Sequence, residues 1–219
     1  MLVACEFSGA TRDRITALGH SAMSCDLLPA ETPGLHYQGD VRDVLDGDGD
    51  GRPWDLMIAH PPCTYLTNSG VRWLHTQEGR WDKMREGAAF FRSLLDAPIP
   101  RVAVENPVMH GYAREIVGRK ADQVVQPYWF GQRETKATGF WLRGLPPLVA
   151  TVDDVAAERR ATLALPPAER SRIHYASPGP DRWKLRSVTF SGIAAAMADQ
   201  WTRATLEALD AEALASTPA

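Results

Sequence analysis

An α/β fold on a mixed, mostly parallel sheet with helices on both faces is the class this sequence predicts. Three observations carry it. Short apolar runs at Met1 to Cys5, Ser21 to Cys25 and Trp54 to Ala59 are too brief for helices and read as buried strands. Helix-forming segments separate the runs. Polar or glycine-containing turns end them, and the C-terminal ends of parallel strands are where an open α/β sheet binds ligands.

The chain has 219 residues and 44% hydrophobic content, enough for one sizeable domain with a packed core. A net charge of −3 and a pI near 6.1 argue against a strongly basic nucleic-acid coat but allow a local basic cleft. Cys5, Cys25 and Cys63 are sparse, odd in number and without paired spacing, which fits a reducing, cytoplasmic setting better than a disulfide scaffold. No run approaches the ~20 apolar residues of a membrane span, and no export signal or solenoid repeat is visible.

The first strand leads into Glu6-Phe7-Ser8-Gly9-Ala10-Thr11 and a helix over Arg12 to Leu18 that stops at Gly19. With the second strand this makes a βαβ unit carrying Asp26 at its tip, a layout suited to a nucleoside-containing cofactor. Gly9 would admit close backbone approach to a ligand and Asp26 would accept from ribose hydroxyls; a glycine kept for packing is the competing reading. Leu35 to Asp40 leads to a third strand end, with Asp40 placed toward an adenine amino group. The Asp-Gly run from Asp46 to Gly51 has Met57 where a calcium loop requires glutamate, so it reads as a solvated turn.

Leu56 to Ala59 ends at His60-Pro61-Pro62-Cys63, because paired prolines remove two backbone donors. Cys63 is thus held on a stiff loop at a strand's C-terminal end, as a nucleophile or as an ordinary buried thiol. Ser69 to Leu95 reads as mostly helical, with Arg72, Arg80, Lys83, Arg85 and Arg92 forming a basic face or a solvated one. Pro98 and Pro100 precede a fifth strand, Arg101 to Pro107, which delivers Glu105 to the same edge as Cys63. A thiol and a carboxylate there suit covalent chemistry assisted by an acid.

A helix from Tyr112 to Val117 follows, then a polar, aromatic stretch from Gln123 to Lys136 that suits base and phosphate contact or an amphipathic hairpin, and a strand over Gly139 to Leu142. Three regions are expected: 1–149 catalytic, 150–185 a small basic insert of uncertain regular structure, and 186–210 a closing helix. The insert is a candidate for nucleic-acid contact. Ala211 to Ala219 reads as a frayed tail.

Taken in order, these segments resemble the cytosine-C5 DNA methyltransferase family, and in their short layout its phage-type members. Cys5-Glu6-Phe7-Ser8-Gly9 is similar to the family's cofactor loop, Asp26 and Gly39-Asp40 to its ribose and adenine contacts, and His60-Pro61-Pro62-Cys63 to its Pro-Cys motif. Glu105-Asn106 is similar to its Glu-Asn pair, and Gln132-Arg133 with Lys136 loosely to a later substrate motif. Thr11 and Arg12 stand where the family has glycines, His60 where it has glycine before Pro-Pro, and Pro107 where it has valine. A segment of about 40 residues replaces its larger target-recognition domain.

The resemblance implies a Rossmann-like, S-adenosylmethionine-dependent methyltransferase fold. It implies catalytic roles for Cys63, Pro62, Glu105 and Asn106, cofactor contacts from Glu6, Phe7, Ser8, Gly9, Asp26, Asp40 and His60, and substrate contacts from Arg133, Lys136 and Thr138. It further implies Cys63 addition to cytosine C6 of duplex or single-stranded DNA, with burial raising the pKa of Glu105 so that it protonates N3. A separate specificity partner would then make up for the short insert. Action on a free cytosine nucleotide, a non-catalytic binding role, and a zinc set from the three cysteines with His60 are the alternatives.

Overall fold

The computed structural model describes residues 1–179 and 182–216. Its strands are Leu2–Ala4 (β1), Met23–Asp26 (β2), His36–Gln38 (β3), Leu56–Ala59 (β4), Arg101–Pro107 (β5), Gln123–Val125 (β6) and Thr138–Arg143 (β7). They form one seven-stranded sheet in the order β3-β2-β1-β4-β5-β7-β6. Every pairing from β3 to β5 is parallel, and β7 runs antiparallel to both its neighbours. This is the mixed, mostly parallel, Rossmann-like sheet that the sequence predicts.

Period-two alternation in the central strands assigns each side chain to one of two cores. Leu2, Ala4, Met57, Ala59, Val102, Val104 and Trp141 join Met84, Ala88 and Phe91 of helix α2 (Arg80–Leu95) on one face. Val3, Leu56, Ile58, Ala103, Phe140 and Leu142 join Ile15 of α1 (Arg12–Ala17) and Ile193 of α8 (Ser191–Ala196) on the other. Both faces of β4 are therefore buried, which explains its unbroken apolar run.

Three elements differ from the sequence reading, and a fourth was one of its alternatives. The expected helix over Ser69 to Leu95 divides into a 3-10 segment, Asn68–His75, and α2, because Gly79 at the boundary takes a left-handed φ of +67°. The stretch from Gln123 to Lys136 belongs to the hairpin the sequence offered, β6 pairing antiparallel with β7, and its connection carries a 3-10 turn, Pro127–Phe130. The insert forms α4 (Val155–Ala164), α5 (Pro167–Arg170), α6 (Arg172–Tyr175) and α7 (Arg182–Ser187). The closing helix continues from α8 through a π segment, Met197–Trp201, into α9 (Thr202–Ala215), so only 217–219 of the expected tail lie outside the described residues. Among the described residues no helix is long and apolar enough to cross a membrane.

The first βαβ unit is clamped by one charged side chain. Arg12 is 1% exposed and donates to Ser24 Oγ, Thr32 O, Thr32 Oγ1 and Pro33 O while pairing with Asp13. Replacing it with alanine removes those four hydrogen bonds, one of them to the buried Ser24 hydroxyl. Arg12→Ala is expected to cost about 3 kcal/mol of stability. Urea denaturation measures this, and a loss below about 1 kcal/mol would show that the network is not a clamp.

Candidate active site

Register brings the site together. Ala59 stands opposite Ala4 of β1 and Val104 of β5, so the next residues, His60 and Glu105, lie side by side at the C-terminal edge. His60 N still donates to Ala4 O at 2.9 Å before the prolines end the ladder. Cys63 O then accepts from Leu66 N and Thr67 N, forming a tight turn.

That turn is pinned to the segment following β5. Asn68 N donates to Val108 O, and His110 N to Leu66 O, both at 3.0 Å. The His110 ring caps α3 (Gly111–Val117) by accepting at Nδ1 from Ala113 N. Its Nε2 must then carry the hydrogen, which it donates to Tyr65 O at 2.9 Å. Asn106, fully buried, donates to the Pro107 carbonyl. The thiol and carboxylate loops are in this way fixed to one another.

Electrostatics correct one expectation. Burial does push the Glu105 carboxyl up, but a hydrogen bond from His60 and the charge of Lys136 outweigh it and hold the group below its ordinary range. Glu105 is therefore a resting carboxylate, with Oε2 at 3.4 Å from His60 Nδ1. Cys63 moves the other way: burial and the Glu105 charge raise its thiol pKa, against the opposing pull of Lys136 and Arg186. Lys136 thus acts on both groups, its Nζ lying near Arg186 O and 5.7 Å from the Phe190 ring centre.

A cavity of about 270 Å³ opens beside this edge, lined by Cys5, Cys25, Asp26, Leu27, Gly39, Asp40, Val41, Arg42, Pro62 and Phe90. Pro62 joins it to the Cys63 turn. Asp26 Oδ1 accepts from Leu28 N. Both Asp40 oxygens bind Arg42, which holds that carboxyl down to about 2; Oδ1 accepts twice, from the Arg42 backbone and Nε, and Oδ2 keeps a free lone pair. Cys5 enters the cavity with a φ of +57°, uncommon for a residue with a side chain. Burial raises its thiol pKa, and that of Cys25 to about 12, so both are inert.

Several expected contacts have other work. Glu6 is 4% exposed and its two oxygens accept from Thr11 N and Arg12 N, so it builds the loop instead of facing a ligand. Ser8 Oγ accepts from Ala10 N, and a side chain at Gly9 would collide with Thr32 and Arg12, which makes that glycine a packing residue. Phe7 is buried with its ring 6.0 Å from that of Trp183 on α7. Arg133 pairs with Glu158 of α4, and Thr138 is buried with its hydroxyl on Lys136 O. Of the expected substrate set, only Lys136 acts at the thiol and carboxylate. His60 meets Glu105 and Thr189 and does not line the cavity. Leu27, Val41, Arg42 and Phe90 also line the cavity and were not singled out from the sequence; Phe90 lies on α2 beside the core residue Phe91.

The insert's arginines are largely committed as well. Arg170 donates to Leu163 O and Leu165 O, Arg172 pairs with Glu134, and Arg182 donates to Ala176 O and His174 O. Beside the Cys63 turn, by contrast, cations lie over exposed or half-buried rings: Arg80 over Tyr65 and Arg72 over Trp73, both at 4.4 Å, and Arg85 over Trp81 at 5.8 Å. Trp81 and Tyr112 meet edge to face at 5.0 Å. Among the described residues no group of three or more His, Cys, Asp or Glu can hold a metal ion, so the three cysteines and His60 do not converge.

No family model and no curated protein matches this chain. Among solved structures it is similar to one provisionally described as a DNA modification methyltransferase encoded within a prophage (E. coli), at 16% identity and a TM-score of 0.42. The likeness covers 64% of this chain and 45% of that one, so the chain spans less than half the length of the structure it matches.

The opposing charges at Cys63 give a direct test. Removing the Glu105 charge removes one cause of the raised thiol pKa, so Glu105→Gln is expected to speed alkylation of Cys63 by iodoacetamide at pH 8 several-fold. Lys136→Met, which removes a charge favouring thiolate, is expected to slow it. Mass spectrometry of the Cys63 peptide reads both rates, and equal rates in the three proteins would show that the groups do not interact.

Proposed function

We propose that this chain is an S-adenosylmethionine-dependent methyltransferase that modifies C5 of cytosine in DNA through a covalent adduct on Cys63. One observation carries the reading: a thiol and a carboxylate that act on each other lie at one sheet edge, and Pro62, next to the thiol in the chain, lines a nucleoside-scale cavity there. The cavity suits the cofactor's nucleoside part. Val41, Leu27, Phe90 and Pro62 offer apolar surface to a purine, while Asp26 and Asp40 keep lone pairs for hydroxyl and amino groups. When bound, the cofactor would supply an electrophilic methyl group.

The chain's own residues do the rest. Cytosine C5 is a poor nucleophile, so Cys63 Sγ adds at C6, and the electrons of the C5=C6 bond become available at C5. Lys136 and Arg186 favour the thiolate. One oxygen of Glu105 accepts from the exocyclic amine and orients the ring, and Asn106 holds the strand end on which Glu105 sits. The cation-topped rings of Tyr65, Trp73 and Trp81 favour a polymer over a free nucleotide, because stacking faces beside cations suit successive bases and phosphates. A base in duplex DNA would first be flipped out.

Incubation with cofactor and DNA containing 5-fluorocytosine is expected to give a protein–DNA adduct that survives denaturation, and Cys63→Ala none. Label reaching dCMP but not DNA would replace the polymer with the nucleotide as substrate; no adduct with either would overturn the reading. Asp26→Ala is expected to weaken S-adenosylhomocysteine binding about tenfold, the loss of roughly one hydrogen bond to a charged acceptor, measured by calorimetry.

A further inference from the structure

Protonation of the base requires a proton that Glu105, held ionised, does not keep for itself. The residue beside it in register is an imidazole. His60 has a side chain 7% exposed, and its Nδ1 lies 3.4 Å from Glu105 Oε2 and 3.5 Å from Thr189 Oγ1. A carboxylate only accepts, so Nδ1 carries the hydrogen toward it. Once Nδ1 is bare, the Thr189 hydroxyl can donate to it, so both protonation states of that nitrogen have a partner. The other nitrogen, Nε2, is buried without a partner among the described residues, and such atoms are few in native proteins and call for a reason.

We propose that His60 holds the proton that Glu105 delivers to N3 of the bound base, making His60 a positioning residue that acts through Glu105. This rests on the reading of the site as one in which Cys63 adds to cytosine. In the resting pair the imidazole carries both hydrogens and Glu105 none. As Sγ bonds to C6, the C5=C6 π pair shifts into the ring and N3 takes a proton from Glu105. Glu105 in turn takes the Nδ1 proton; the N–H pair stays on the imidazole, which becomes neutral and keeps its Nε2 hydrogen. For exchange, C5 of the adduct takes a proton from solvent and then gives up its original hydrogen, whose bond pair returns to the ring; N3 then returns its proton, the C5=C6 bond re-forms, and the Sγ–C6 pair goes back to sulfur.

Three other groups bear on the pair. Lys136, from the segment before β7, favours the carboxylate. Thr189, from the turn before α8, meets the imidazole. Cys63 lies within the field of Glu105, Lys136 and Arg186. None of these offers a proton that leaves near neutral pH as readily as an imidazolium does.

The test reads addition without methyl transfer. Tritium release from DNA carrying 5-tritiated cytosine, with S-adenosylhomocysteine bound, is followed against pH for the wild type and for His60→Asn. A lone carboxyl loses its proton about two pH units below an imidazolium. The alkaline limb of the variant is therefore expected to move down by about one to two units, with a loss of about 10- to 100-fold at pH 8 that shrinks toward pH 5. If His60 only keeps Glu105 ionised, its removal instead moves that limb upward; a uniform loss at every pH marks a purely structural role. Either result overturns the proposal.

Absence of both exchange and adduct in the wild type would overturn the proposed function itself, which is a different outcome. Should His60→Asn not fold, the ¹⁵N resonances of His60 in the wild type decide. Loss of the Nδ1 proton is expected to track the alkaline limb of exchange, and a limb that falls elsewhere overturns the inference.

Discussion

The register of β4 between β1 and β5 is the constraint on which the remaining structure depends. Leu56 to Ala59 is buried on both faces, so each residue is committed to one of two cores. A slip of one residue would turn Leu56 and Ile58 toward the α2 face and exchange the two cores' contents. The same register sets His60 beside Glu105, since Ala59 and Val104 are partners and parallel neighbours in register point to the same face. Chemistry at the edge is therefore a consequence of packing in the middle. The prolines complete this by ending the strand one residue after the last useful ladder bond.

The loop after β1 shows a different use of polar groups at a strand end. Its Glu6 carboxylate satisfies two N–H groups at the start of α1, and the Arg12 guanidinium satisfies acceptors on β2 and the 32–33 turn. Buried groups of opposite sign are stable there because nearly every donor and acceptor is paired. The consequence is a rigid rim. Asp26 and Asp40 can face the cavity because Glu6 and Arg12 have already fixed the chain around them.

Elements whose signal is local were legible in the sequence. Apolar runs bounded by turns located the strands, and the shared sheet edge linked Cys63 with Glu105. What was illegible depends on partners distant in the chain. Arg133 and Lys136 look alike as cations, yet Arg133 meets Glu158 on the insert while Lys136 faces the thiol and carboxylate; nothing within the Gln132 to Lys136 run separates them. Gly9 has the composition of a ligand cradle, but Thr32 fills the space above it. Burial alone predicted a protonated Glu105, and only the register that supplies His60 reverses the sign. The insert's helices were obscured because its proline-interrupted segments are too short for a periodic pattern to emerge.

Cys63 and Glu105 oppose each other's ionisation, and that opposition has a mechanistic consequence. The Glu105 charge raises the thiol pKa, while Lys136 favours the anionic form of both. Two adjacent anions served by one ammonium cannot both be fully formed at low cost, since a like charge at close range shifts a pKa by one unit or more. In the resting site the carboxylate holds the charge and the thiol keeps its proton. On the proposed reaction, a base whose amine donates to Glu105 spreads that charge, and Lys136 and Arg186 are left to act on sulfur. The nucleophile is then most readily formed when a base is in place, which protects an otherwise reactive cysteine while the site is empty.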